Sequence, residues 1–76
     1  MLIYVKSLNG VKNELEINDQ TKAKDIKIML QEKVGIDPAQ LKIIFGGKLM
    51  NDTDIIVEKG IKNLMTLHSV IMLRGG

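Results

Sequence analysis

Seventy-six residues without a cysteine exclude a disulfide framework, thiol catalysis and a cysteine-based zinc site, and the lone His68 cannot build a metal centre by itself. The net charge of +2 comes from ten lysines and Arg74, scattered without a basic run, and only Tyr4 and Phe45 are aromatic. That balance argues against a nucleic-acid binder, which needs a basic stripe with arginines or stacking rings.

The length fits one domain. A chain of this size buries roughly 60% of its unfolded surface, so its core must be well packed. The composition is 45% hydrophobic and dominated by aliphatic side chains and methionine. No apolar stretch approaches the roughly 18–20 residues of a membrane span. The opening "MLIYVKSLNG" lacks the layout of a signal peptide. A soluble intracellular protein is the expectation.

The first predicted element is a β-hairpin. Ile3 and Val5 alternate with Tyr4 and Lys6, and Val11, Leu15 and Ile17 alternate with Lys12, Glu14 and Glu16. Period two is the mark of a strand. Asn9-Gly10 supplies the turn, because both residues tolerate positive φ. The alternation places Asn13 on the inward side, an unusual residue for a core.

A helix is predicted next, within "TKAKDIKIMLQEKVGIDP". Thr21 is the expected N-cap. Ala23, Ile26, Leu30 and Val34 recur at helical spacing, and Gly35 suits the position just past the end. Lys27 lies on the same face as this stripe. Its stem is expected to pack while its ammonium reaches water or a carboxylate.

Two short strands follow in "QLKIIFGGKLMND", divided by Gly46-Gly47. Leu41, Ile43 and Phe45 are read as inward, Lys42 and Ile44 as outward. The segment "TDIIVEKGIKNLM" is irregular, with Ile56 and Ile61 as core plugs. "TLHSVIML" is a last strand. If Leu67 points inward, so do Ser69 and Ile71, and His68, Val70 and Met72 point out. A buried Ser69 hydroxyl needs a hydrogen bond or costs roughly 1–3 kcal/mol.

Strand, strand, helix, strand, strand, strand predicts an α+β fold with one helix covering a sheet. The first and last strands can lie side by side in parallel, because the middle of the chain supplies the crossover. Ile44, His68 and Val70 then share an exposed face, and Leu8 at the hairpin tip can join them. A contiguous apolar patch on a small domain marks a binding surface.

No catalytic constellation emerges. Ser7 and Ser69 have one histidine between them, and Ser69 is too close to His68 in sequence to aim at it across a strand. "FGGK" lacks the Gly-x-x-x-x-Gly-Lys-Ser/Thr spacing of a phosphate loop. The tail "LRGG" is different. Four extended residues reach about 13 Å, and glycine offers no Cβ to obstruct a narrow channel. A carboxylate on such a thread could be activated by ATP, passed to a thiol and delivered to an amine, with all the catalytic groups on partners.

From end to end, without a gap, the chain resembles the ubiquitin family, through "MLIYVKSLNG", "EKVGIDP", "IIFGGK", "TLH" and "LRGG". The resemblance implies a β-grasp fold, with a mixed sheet packed on one helix. It implies a globular domain over 1–72 and a flexible conjugation tail over 73–76. The function implied is a covalent modifier joined to substrate lysines through Gly76. Met72, Leu73, Arg74 and Gly75 would be read by the enzymes that charge it.

Within the family, Leu2, Glu14, Ile17, Lys22, Ile26, Glu32 and Met50-Asn51-Asp52 look more like the cullin-modifying Rub type than ubiquitin. The resemblance makes position 72 the point at which activating enzymes separate the two pathways. Ubiquitin carries arginine there, and a buried arginine needs a charged partner that Met72 does not. The alternative is a divergent ubiquitin acting in degradation and signalling. A third reading is an unconjugated interaction module, which would need no diglycine.

The resemblance also assigns surfaces. Leu8, Ile44, His68 and Val70 match the family's hydrophobic binding patch, and Ile36, Ile71 and Leu73 match a second one. Lys48, Lys6, Lys27 and Lys33 match linkage lysines, whereas Val11, Asn63 and Met29 replace three others, so chains through those positions are excluded. Lys42 replaces an arginine, and Asn13 and Ser69 replace core aliphatics. The implied partners are activating and conjugating enzymes, a ligase, isopeptidases and cullins. ATP serves the activating enzyme, and no cofactor belongs to the chain. A monomer in cytoplasm and nucleus, binding neither nucleic acid nor membrane, completes the expectation.

Overall fold

The computed structural model describes residues 1–72. Its elements in chain order are β1 (Leu2–Ser7), β2 (Lys12–Glu16), α1 (Ala23–Val34), β3 (Leu41–Phe45), β4 (Lys48–Leu49) and β5 (Thr66–Ile71). Short 3₁₀ turns occupy Pro38–Gln40 and Ile56–Lys59. The five strands form one sheet in the order β2-β1-β5-β3-β4. β1 and β5 run parallel at its centre, and the other neighbours are antiparallel. This is the β-grasp arrangement: a mixed sheet with one helix across it.

The first hairpin closes through Gly10, whose φ of +86° a side chain would oppose. The Gly10 N–H donates to the Ser7 carbonyl, and the Ser7 N–H to the Val11 carbonyl, at 3.0 and 2.9 Å. Leu8 is left at the tip, 84% exposed.

The helix begins one residue later than its threonine suggests. Lys22, not Thr21, is the N-cap. The Thr21 hydroxyl accepts the Asn18 N–H at 3.0 Å, so it serves the preceding turn instead. The first helical N–H groups find backbone partners: Ala23 donates to the Asp54 carbonyl and Lys24 to the Asp52 carbonyl. The Asp25 carboxylate reaches back to the Lys22 N–H at 3.0 Å, which is one half of a capping box. Gly35 ends the helix with φ +74°, as its position predicts.

The core lies between helix and sheet. Ile3, Ile26, Ile43, Ile56 and Leu67 are completely buried, with Val5, Leu15, Leu41 and Ile61 beside them. Each such side chain contributes about 1.5–3 kcal/mol by leaving water. Lys27 is buried among them, and its ammonium pairs with the Asp52 carboxylate. That pair draws the Asp52 carboxyl below its ordinary 3.8, with Lys42 and Lys24 adding to the effect.

Four inward expectations change. Val11 and Val34 are exposed, because both lie at the hairpin end of the layer, where helix and sheet part. Phe45 is only half-buried, because β3 ends there at a glycine turn. Ser69 is buried, as its register predicts. Ile71, assigned to the same face, is exposed at the sheet's end.

Candidate functional site

Residues paired in register lie side by side on one face of a sheet. Lys6 pairs with His68, His68 with Ile44, and Ile44 with Leu49. One row therefore crosses four strands as Lys6, His68, Ile44, Leu49, on the face away from the helix. The next row sets Val70 beside Lys42. His68 and Leu49 are exposed, and Ile44 and Val70 are half-buried. The predicted outward residues of β3 and β5 thus come together. Leu8 projects from the hairpin next to β1.

Leu49 is the residue that sequence reasoning missed. Its strand has two residues, too short for alternation to register. The available signal was an apolar residue two positions after the Gly46-Gly47 turn, where a hairpin returns opposite Ile44.

The face is apolar in its middle and basic at its rim, through Lys6 and Lys42. It suits a partner with an apolar centre and acidic margin. Nothing in it resembles catalytic machinery. His68 stands between Lys6 and Ile44, while Ser69 points to the other side of the strand. Among the described residues, no group of three or more His, Cys, Asp or Glu could hold a metal ion.

Ile36 and Ile71, expected in a second patch, border one cleft of about 310 Å³ at the hairpin end of the molecule. Leu8 and Val70 border it too. The two predicted surfaces are therefore continuous. Leu73 lies outside the described residues, as do Arg74, Gly75 and Gly76.

Met72 is half-exposed, and its N–H donates to the Gln40 carbonyl at 2.6 Å. The backbone at this position is held against the start of β3 while the side chain remains open to contact. Lys6, Lys33 and Lys48 are exposed. Lys27 differs, because its amine is buried against Asp52 and is not presented for attachment in the folded state.

A family model described as the ubiquitin family matches residues 3–74. The chain is 45% identical over its 76 residues to Ubiquitin-like protein NEDD8 of Dictyostelium discoideum, covering 99% of that protein. It is 41% identical over the same span to Ubiquitin-like protein 1 of Schizosaccharomyces pombe, covering 97% of it. It is 37% identical, again over 76 residues, to NEDD8-like protein RUB1 of Saccharomyces cerevisiae, covering 99% of it.

Proposed function

The chain belongs to the ubiquitin family, and from that premise we propose that it is a Rub-type modifier, joined through the Gly76 carboxylate to cullin lysines and so altering ubiquitin-ligase activity. The observation that carries this reading is the full-length similarity to NEDD8-like proteins, at 37–45% identity. Modifiers of this kind are protein tags, and the chain is not an enzyme.

The chemistry divides between the chain and its partners. The activating enzyme consumes ATP to activate the Gly76 carboxylate and takes it as a thioester. A conjugating enzyme and ligase carry it to an amine, and isopeptidases reverse the bond. The chain supplies the Gly76 carboxylate and the surfaces that position it. Ile44, His68 and Val70, with Leu49 extending the row, form the docking face. Met72 selects the activating enzyme, since a neutral side chain needs no charged partner in a buried channel. The working compartments are the cytoplasm and nucleus.

Charging with purified activating enzymes tests the assignment. A thioester with the neddylation-activating enzyme, and little with the ubiquitin-activating enzyme, is expected. Met72→Arg is expected to move charging towards the ubiquitin enzyme. Preferential charging of the unaltered chain by the ubiquitin enzyme would instead identify a divergent ubiquitin. Adducts that persist when an extra residue follows Gly76 would rule out attachment through that carboxylate.

A further inference from the structure

The cleft at the hairpin end has an uncommon floor. Register places Asn13 beside Val5 and Ser69 beside Ser7, both on the face that meets the helix. Those inward positions carry short polar side chains, in a layer whose other buried polar residues are Thr21 and Lys27. The helix passes above them with Leu30 and Val34, and Leu41 lies beyond. The space left between is about 310 Å³ and opens to solvent.

Three properties of this space define what it accepts. The first is its rim. Of eight large apolar side chains exposed among the described residues, Leu8, Val11, Val34 and Ile71 all border this one cleft. The second is neutrality. Among the described residues no charged side chain lines it, so a charged group entering it would lose water without gaining a partner from them. The third is the floor. Ser69 is more than nine-tenths buried, and its hydroxyl, with no hydrogen bond to another described residue, is open to the cleft and not sealed in the core. The Asn13 amide is likewise without a side-chain bond among the described residues.

Size narrows the class. Cavities of about 150 Å³ hold a benzene ring, so this cleft takes one substituted ring and not a folded segment. An entirely apolar occupant would cover Ser69 and leave its hydroxyl unpaired. A ring with one polar tip satisfies walls and floor together, which is the chemistry of a buried tyrosine. We infer that the cleft is a binding pocket for a single tyrosine side chain of a partner protein, its ring between Val34 and Leu8 and its hydroxyl paired with Ser69. Because Leu8 and Val70 belong both to this cleft and to the outward face, a partner seated on that face reaches the mouth without a second interface. The inference does not depend on conjugation through Gly76.

Titration followed by backbone amide NMR tests it, with N-acetyltyrosinamide and N-acetylphenylalaninamide as probes. The expected result is saturable shifts at Asn13, Ser69 and the 34–36 segment, with the tyrosine probe binding more tightly. Ser69→Ala keeps the space and removes the hydroxyl. It is expected to weaken the tyrosine probe about fivefold and leave the phenylalanine probe unchanged. Ser69→Leu fills the floor and is expected to abolish both, with thermal unfolding reporting that the variant is folded. Absence of saturable shifts in the unaltered chain would refute the pocket. Equal binding of the two probes, or a tyrosine probe indifferent to Ser69→Ala, would refute the assigned hydroxyl pairing. None of these outcomes alters thioester charging, so this inference and the conjugation reading fail separately.

Discussion

The two ends of the core are built differently. At the end near the helix N-terminus, Ala23, Ile26 and Ile56 are completely buried, and Lys27, the one buried charge among the described residues, has its carboxylate. At the hairpin end the helix stands off the sheet. Val34 is exposed, the floor is Asn13 and Ser69, and an open cleft takes the place of packed side chains. Polar groups inside a protein must be paired or reached by water or ligand. The first end uses pairing and the second uses access. The first end therefore has its buried charge paired within the fold, while the second leaves its polar groups open to the cleft beside exposed apolar surface.

The comparison breaks most visibly at Ile56. Ile56→Ala leaves a cavity where neighbours cannot collapse, and a loss of about 2–5 kcal/mol is expected in urea unfolding. A loss under about 1 kcal/mol would mean that this end is no better packed than the other. Next is Asp52→Asn. Lys27 stays buried but loses its countercharge, while Asp52 itself is 61% exposed, so water screens part of the attraction. A loss of about 1 kcal/mol at neutral pH is expected. The pH dependence has a definite sign. A carboxyl held below its ordinary 3.8 contributes stability above that pH, and the contribution is lost as pH falls through the lower folded value. Asp52→Asn is thus expected to flatten the acid limb of a stability–pH curve below 3.8 and to leave its alkaline side parallel to that of the unaltered chain.

What the sequence made legible follows the same division. Period-two and helical spacing located every major element, because the well-packed end obeys patterning strictly. Lys27 on the apolar face implied a paired ammonium, but its partner lies 25 residues away, across the turn after β4, and no local spacing names it. Val11 and Val34 continue their patterns and yet are exposed, because period describes a face and not where the facing layer ends. Thr21 has the chemistry of a cap but is bound to Asn18, and backbone carbonyls of residues 52 and 54 take up the helical N–H groups instead. The outward row was legible for Ile44, His68 and Val70, which lie on strands of five or six residues. It was not legible for Leu49. Asn13 and Ser69 stood out as blemishes in the pattern, and only the fold brings them to one cleft.

The smallest effect is also the sharpest, because its sign is opposite. Asn13 is half-buried, with an amide that has no side-chain bond among the described residues. Asn13→Leu replaces that amide with apolar atoms of similar size, facing Leu30 and Leu41 across the cleft. Each methylene removed from water is worth about 0.8 kcal/mol, but the cleft is open, so only part of that is realised. A gain of about 0.5–1 kcal/mol is expected, read as a rise of a few degrees in Tm. An inward substitution that stabilises is unusual, since most core changes destabilise. It occurs where the native residue serves something other than packing. Were Asn13→Leu to cost stability, the amide would be part of a satisfied core, and the contrast between the two ends would lose its basis.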